Sequence, residues 1–333
     1  MPFFSVILAT RDRPGLFAEA LRSVLEQDHA DFEVIVVNDG SRPEHRPTYE
    51  AVLAEVGERR GGRLQAHWLV HRPRGHGQSY ALNFGVSQAT GEYVCFLDDD
   101  DLWTDPDHLA RAAGALSTTR ADLYMANQTA WRGAVQAPGP IWIEGLAAML
   151  ARRGVVPGGG GALPVGVPDL MGLSGFCHVN TLVVRRALYE AVGGMDEAIR
   201  WECDRDLFLR LIDAAERMLH HPAVVARHNI PDPSKAASMT TSLAALERWL
   251  YQLRALDKAC LFARHPAIRA HGRQHKAYTL KRIAEERRAA KDWPAAAYYA
   301  RQALGAGPTL KWAVFSAYCS GVALLRGALP GQG

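Results

Sequence analysis

Gly91-Glu92-Tyr93-Val94-Cys95-Phe96-Leu97-Asp98-Asp99-Asp100-Asp101 holds an apolar run of strand length, Tyr93 to Leu97, that ends abruptly in four carboxylates. A short continuous apolar run bounded by polar residues fits a strand buried on both faces. Adjacent acids repel one another, and a folded chain tolerates them best around a cation. Hard divalent ions such as Mg²⁺ and Mn²⁺ select oxygen ligands. The same acids also suit a helix N-terminus, where Asp caps free N–H groups and meets the positive end of the dipole.

Working outward, the first third of the chain alternates strand and helix. Phe4 to Ala9 is a second apolar run, followed by Pro14, which suits a first helical turn. Phe17, Ala20, Leu21, Val24 and Leu25 then fall on one helical face. Phe32 to Val37 predicts another strand, closed by the turn residues Asn38-Asp39-Gly40-Ser41. Tyr49 to Val56 predicts a helix, Leu64 to Val70 a strand and Ser79 to Ala89 a helix. Strands separated by helices predict an α/β fold with a mostly parallel sheet, whose ligands bind beyond the carboxyl ends of the strands. The clusters Thr10-Arg11-Asp12-Arg13, Asn38-Asp39-Gly40-Ser41 and Asp98-Asp99-Asp100-Asp101 all follow strand ends and should meet at one rim.

Further along, Ala121 to Ala126 and Val179 to Val184 predict strands, and a helix starts at Leu207. Residues 152–168 are rich in Gly and Pro, with Gly158-Gly159-Gly160-Gly161 in the middle. That composition predicts a mobile loop, either a lid or an idle insertion. From Leu243 onward the composition is helical, and Trp293 to Leu304 and Thr309 to Arg326 predict two helices about a Gly-Pro turn. The domain expectation is therefore 1–242, divided at 128/129, followed by a helical region, 243–333.

The net charge of +3 conceals an asymmetry: from Leu243 onward there are 15 Lys/Arg against 5 Asp/Glu. The acidic front part excludes a nucleic-acid face there. The basic rear part meets either water or an anionic membrane. Apolar Trp312 to Leu325, flanked by Lys311 and Arg326, is either an amphipathic membrane-surface helix or one packed on its neighbours. No apolar run is long enough to span a bilayer. The N-terminal Met1-Pro2-Phe3-Phe4 has no basic flank or cleavage site, so it predicts a strand and not a signal peptide. Five cysteines without metal-ligand spacing predict free thiols in a reducing compartment. The expected location is cytoplasmic, with peripheral membrane attachment as the variant.

Four blocks, in order, resemble family 2 of the GT-A-fold glycosyltransferases, and the likeness runs from Phe4 to about His228. They are Ser5 to Pro14, Val36-Val37-Asn38-Asp39-Gly40-Ser41, Gly91 to Asp101, and Val192-Gly193-Gly194-Met195-Asp196-Glu197 with Cys203-Asp204-Arg205-Asp206-Leu207-Phe208-Leu209-Arg210-Leu211. The resemblance implies a metal-dependent, inverting transfer of a sugar from a nucleotide diphosphate, a uridine diphosphate sugar by preference, to an acceptor hydroxyl. It implies Thr10, Arg11 and Arg13 in the nucleotide pocket, Ala9 at its backbone, Asp39 and Arg74 toward the base or diphosphate, and Asp98 with Asp99 at the ribose side. Asp100 would ligate Mn²⁺ or Mg²⁺, with His228 as a second candidate ligand. Asp204 stands at the general-base position. A carboxylate is needed there because an acceptor hydroxyl attacks only as its proton is removed.

His178, Asn180, Trp201 and Glu202 are candidate contacts to donor sugar or acceptor, each with a structural role as the alternative. Ser238-Met239-Thr240-Thr241 is a candidate diphosphate-covering loop. The sequence departs from the family where Cys203 replaces a glutamate, where Asp12 replaces an asparagine and where Leu82 replaces an arginine. Glycan, lipid-linked and protein acceptors all remain open. A sugar nucleotidyltransferase is the rival enzyme, disfavoured by the absence of a glycine run after the first strand. A degenerate nucleotide-binding module is the non-enzyme rival, disfavoured by the joint presence of Asp39, Asp98, Asp100 and Asp204.

Overall fold

The computed structural model describes residues 2–60, 63–230 and 243–327. The chain forms two compact units, 1–241 and 242–333.

The first unit is built on a single ten-stranded sheet. Its strands are β1 (Phe4–Thr10), β2 (Phe32–Asn38), β3 (Leu64–Trp68), β4 (Tyr93–Asp98), β5 (Leu102–Trp103), β6 (Leu123–Arg132), β7 (Val135–Gln136), β8 (Leu163–Val165), β9 (Leu182–Arg185) and β10 (Met218–Asn229). The order is β3-β2-β1-β4-β9-β6-β10-β5, with β7 beside β6 and β8 beside β10. The helices are α1 (Pro14–Leu25), α2 (Arg46–Arg60), α3 (Gln78–Gln88), α4 (His108–Thr119), α5 (Leu146–Arg152), α6 (Val167–Met171), α7 (Arg186–Ala191) and α8 (Cys203–Ala214).

The GT-A architecture expected from the sequence is present, but the sheet is mixed. It is parallel from β3 through β4 and again between β6 and β10; β9 runs antiparallel to both β4 and β6. Parallel pairing needs a crossover connection, which α1, α2 and α3 supply in the first half. β9 is reached by a long excursion after β6 and is free to pair antiparallel.

Phe4, Val6, Leu8 and Leu97 face one side of the sheet and pack with Phe17, Leu21 and Val24 of α1 and Leu109 and Leu116 of α4 in one apolar core. Alternate residues face the other side, where α3 lies so close that a side chain at Gly85 would collide with Ile7. The register places Ala9 opposite Asp98 and Thr10 opposite Asn38, so the three polar clusters end level.

Residues 152–168 are more ordered than their composition predicts. They hold a 3-10 turn at Gly159–Gly161, β8 and the start of α6. The glycine run lies on α4, where a Cβ at Gly160 would come within 3.1 Å of the Ala115 nitrogen, and β8 adds to the sheet through β10. Small residues allow this close approach, which composition alone reads as looseness. The second helix boundary also moved: α8 begins at Cys203 and not at Leu207.

The second unit consists of α9 (Ala245–Phe262), α10 (Pro266–Ala289), α11 (Trp293–Ala306) and α12 (Leu310–Gly327). Leu253, Leu280, Ile283, Ala300, Ala303 and Trp312 form its core. Among the described residues no helix is long and apolar enough to cross a membrane.

Candidate active site

The four acids after β4 diverge to different partners. The Asp98 N–H donates to the Asn180 side-chain oxygen at 3.0 Å, and its Oδ1 accepts from Gln78 Nε2 at 2.6 Å. Asp99 is almost wholly buried, accepting from the Thr10 hydroxyl at 2.7 Å and pairing with Arg13. Asp100 pairs with the same guanidinium at 2.6 Å and keeps 27% of its side chain exposed. Asp101, fully buried, accepts from Asn180 Nδ2 at 2.6 Å, from His228 Nδ1 at 2.7 Å and from the Asn229 N–H at 2.6 Å.

Burial, reinforced by repulsion from Asp101 and Asp100, raises Asp98 well above the usual carboxylate range. Burial likewise raises Asp100 against the pull of Arg13, and raises Asp99 to about 7. Arg13, held by three carboxylates that outweigh its own desolvation, stays charged. For His228, burial lowers the pKa, but the hydrogen bond and charge of Asp101, with Asp98 and Asp100, overcome it and raise it to about 9. Near neutral pH the Nδ1–H of His228 therefore donates to Asp101.

The nucleotide-side residues form a second layer. Asp39 caps a loop: its carboxylate accepts the N–H groups of His76 at 2.8 Å and Gly77 at 3.0 Å, and its own N–H donates to the Thr10 carbonyl. Arg11 reaches the same loop through the carbonyls of Arg72 at 2.8 Å and Pro73 at 3.1 Å. Ala9 is half-buried at the end of β1, and Arg74 is exposed. Thr10 is buried, its hydroxyl shared between Tyr49 and Asp99. Thr10 and Asp99 thus hold Arg13 and β1 in place, and their side chains offer little free surface to a ligand.

Across the rim, Asp204 sits in the first turn of α8, where the helix dipole favours a carboxylate. Its Oδ1 accepts the Arg205 N–H at 2.8 Å, and burial raises its pKa. Its Oδ2 lies 3.5 Å from His178 Nε2, which in turn is 3.9 Å from Asp98 Oδ2. The other nitrogen of His178 accepts the Asn180 N–H at 3.4 Å, and burial pushes the imidazole down to about 3. The ring is therefore neutral, with its proton on Nε2 facing the two acids. Glu202 takes a left-handed backbone conformation just before α8 and pairs with Arg205, whose guanidinium lies over the Phe176 ring; Trp201 is half-buried beside it.

The candidates therefore link up from end to end. Asp39 holds Gly77, the adjacent Gln78 holds Asp98, and His178 Nε2 lies within 4.0 Å of both Asp98 and Asp204. Sequence reasoning missed Trp142, whose ring centroid lies 5.3 Å from that of His228 and 6.1 Å from that of His178, and undervalued Asp101 and Asn229. No local signal marks Trp142, because only the fold brings its segment to the rim. Ser238 to Thr241 lie outside the described residues.

A mixed sheet of this order, with helices on its faces and an acidic cluster at the end of β4, is the GT-A fold. Residues 5–144 match the family model Glycosyl transferase family 2. Through this segment the chain resembles that family. It is 29% identical over 193 residues to the succinoglycan biosynthesis protein ExoW of Rhizobium meliloti, covering 56% of each chain. It is 33% identical over 112 residues to the PGL/p-HBAD biosynthesis glycosyltransferase Rv2957 of Mycobacterium tuberculosis, covering 34% of this chain and 41% of that one. These matches span about a third to just over half of the curated relatives' length. Among solved structures, S. aureus TarS 1-349 in complex with UDP-GlcNAc superposes with a TM-score of 0.65 at 19% identity, covering 92% of this chain and 81% of that one. The mannosyltransferase PcManGT of Pyrobaculum calidifontis, in complex with GDP-Man and Mn2+, gives 0.58 at 20% identity, covering 97% and 81%.

Proposed function

We propose that this protein transfers a sugar from a nucleoside diphosphate, uridine diphosphate by preference, to an acceptor hydroxyl with inversion at the anomeric carbon. The observation that carries this is the position of Asp204 beside the acidic rim, its Oδ2 3.5 Å from His178 Nε2, an atom that also lies 3.9 Å from Asp98 Oδ2. In-line displacement needs a base and a diphosphate-binding group on opposite sides of the sugar, and Asp204, carried by α8 and not by the acidic turn after β4, is the group proposed for the acceptor side. The raised pKa of Asp204 suits a base, because proton transfer is most efficient when the catalytic pKa approaches the working pH.

The residues at the rim fit a divalent cation by their chemistry. Asp98, Asp99 and Asp100 crowd negative charge around the single guanidinium of Arg13, and raised carboxylate pKa values mark a cluster short of positive charge. Among the described residues no three His, Cys, Asp or Glu side chains are arranged to hold a metal. Mg²⁺ and Mn²⁺ take one or two carboxylates and complete their shell with phosphates and water. Asp100, the most exposed of these acids, would hold it, and His228 would offer Nε2 after losing its proton. When bound, the ion neutralises charge on the departing diphosphate.

The chain's own groups do the remaining work. Asp39 accepts from the base while it fixes the loop over it. Arg11 and Arg74 offer positive charge to the nucleotide, and Asp98 faces the ribose. Asp204 takes the acceptor proton on Oδ2, while the Arg205 N–H and the Nε2–H of His178 hold the carboxylate in place. Trp201 and Glu202 line the acceptor and donor-sugar side, while Asn180, buried and bonded to Asp98 and Asp101, positions those acids instead of touching a sugar. The structurally similar TarS and PcManGT, in complexes with UDP-GlcNAc and GDP-Man, support a nucleotide-sugar donor.

The test is a panel of nucleotide sugars incubated with and without Mn²⁺, scored for nucleoside diphosphate release. Metal-dependent release from at least one donor is expected. Binding without turnover would identify a non-catalytic module. Consumption of sugar phosphate and nucleoside triphosphate would identify a nucleotidyltransferase.

A further inference from the structure

Helix α12 carries two opposed apolar faces, and only one is covered. Trp312, Ser316 and Cys319 are buried, with Cys319 packed on Ala296 and Ala297 of α11. The outer face shows Leu310 at 84% exposure, Val314 at 63%, Tyr318 at 52%, Leu324 at 74% and Leu325 at 71%. Leu310, Val314, Tyr318 and Leu325 follow one another at steps of four, four and seven residues, the spacing of a continuous stripe along one helix, with Leu324 at its flank. Apolar surface of this kind, arranged in a row, marks a contact site.

Charge decides what would cover it. Neither α11 nor α12 contains an Asp or Glu, and each exposed charge they carry is positive: Arg301, Lys311 and Arg326. Lys311 and Arg326 sit near the two ends of the stripe, on the same helix. Trp293 lies against Tyr318 edge to face, with the Arg326 guanidinium 5.5 Å from the Trp293 ring centre, and Tyr298 is half-exposed on α11. Aromatic rings with polar edges, flanked by cations, are the composition favoured where a membrane meets water. A second copy of this chain would bring like charges together, since residues from Leu243 onward hold 15 Lys/Arg against 5 Asp/Glu. An anionic surface meets no such repulsion.

We propose that the outer face of α12 docks on an anionic lipid surface, with Leu310, Val314, Tyr318 and Leu325 entering the headgroup boundary and Lys311, Arg326 and Arg301 pairing with lipid charge. The helix lies in the plane of the interface and does not cross it. A transferase so held would meet acceptors presented at a membrane, which is independent of how its active site works.

The experiment is co-sedimentation of the full chain with vesicles of phosphatidylcholine alone and of phosphatidylcholine mixed with phosphatidylglycerol. Binding is expected only to the mixed vesicles and should weaken with salt. Lys311→Glu and Arg326→Glu should each lower partitioning by more than the roughly five-fold expected for losing one cation near such a surface. Val314→Glu with Leu325→Glu should abolish it, while thermal stability stays unchanged because both positions are exposed. Failure of the wild-type chain to bind mixed vesicles overturns the proposal. So does equal binding to neutral vesicles, or lipid-independent self-association that the Val314→Glu, Leu325→Glu variant loses.

Discussion

Replacing Gly75 by alanine should weaken nucleotide binding as well as the fold. Gly75 has φ +63°, and a Cβ built there would overlap the ends of Arg11 and Asp39, with the Asp39 carboxyl carbon 3.1 Å away. The left-handed conformation alone costs a non-glycine residue about 1–2 kcal/mol. The Arg11 guanidinium is flexible and can swing aside, abandoning the Arg72 and Pro73 carbonyls. Asp39 can move only by surrendering the N–H groups of His76 and Gly77, and a hydrogen bond to a charged group is worth about 1.5–3 kcal/mol. The sum, counting one such hydrogen bond, is roughly 2.5–5 kcal/mol of stability, or roughly 5–20 °C in Tm for a domain of this size. If the same carboxylate accepts from the base, its displacement also raises the Kd for UDP roughly ten- to a hundred-fold. Titration calorimetry with UDP and Mn²⁺, paired with thermal melts, reads both. Gly77→Ala is the control: φ there is +106°, so the backbone is strained, but a Cβ meets nothing within 4 Å. It should lose stability with a much smaller loss of affinity. UDP binding within two-fold of wild type by Gly75→Ala, or an equal loss in both variants, refutes the role given to Asp39.

Three further outcomes are expected. His178→Ala should lower kcat about ten-fold or more with little change in donor KM, and His178→Gln, which restores an N–H donor toward Asp204, should recover part of it; equal loss in both would leave His178 a packing residue. Arg13→Ala strands Asp99 in the interior and should cost about 3–5 kcal/mol in urea unfolding, largely recovered by adding Asp99→Asn; a loss that the second change does not relieve contradicts the pairing. Burial holds His108 down to about 3 and His220 down to about 4, so both stay neutral in the fold but bind protons when unfolded below the ordinary value of 6.5. Their contribution, at most roughly 3–5 kcal/mol each, is present above pH 6.5 and is lost as the pH falls toward 4. The raised carboxylates of the rim act in the opposite sense, favouring the folded state as pH falls, so the useful observable is a difference: His108→Phe should lose less stability than wild type between pH 6.5 and 4. Parallel curves would show that His108 does not titrate as its burial requires.

How much of this was legible beforehand follows the range of the interactions. β1, β2 and β4 read directly, because each is a continuous apolar run closed by polar residues, and the level ends of parallel strands follow from that. The acids after β4 declared themselves by their mutual repulsion, but their division of labour did not. The strand ends at Asp98 and the next acids lie in a turn, so which of them is buried is decided by Arg13 and His228, both distant in sequence. The insertion of β9 between β4 and β6 was hidden for the same reason. The start of α8 was misplaced because Glu202, Asp204 and Asp206 read as a polar approach to the apolar Leu207-Phe208-Leu209, whereas an acidic first turn is part of the helix. Gly158 to Gly161 read as slack because composition reports freedom and not the neighbour that removes it.

The central claim is that Asp204 removes the acceptor proton. It is tested most directly by measuring sugar transfer and UDP affinity side by side in wild type and Asp204→Asn, a change that keeps shape and removes basicity. The expected result is a fall in transfer of roughly 10²–10⁴-fold with UDP affinity within about two-fold of wild type. Transfer at the wild-type rate by Asp204→Asn would contradict the assignment.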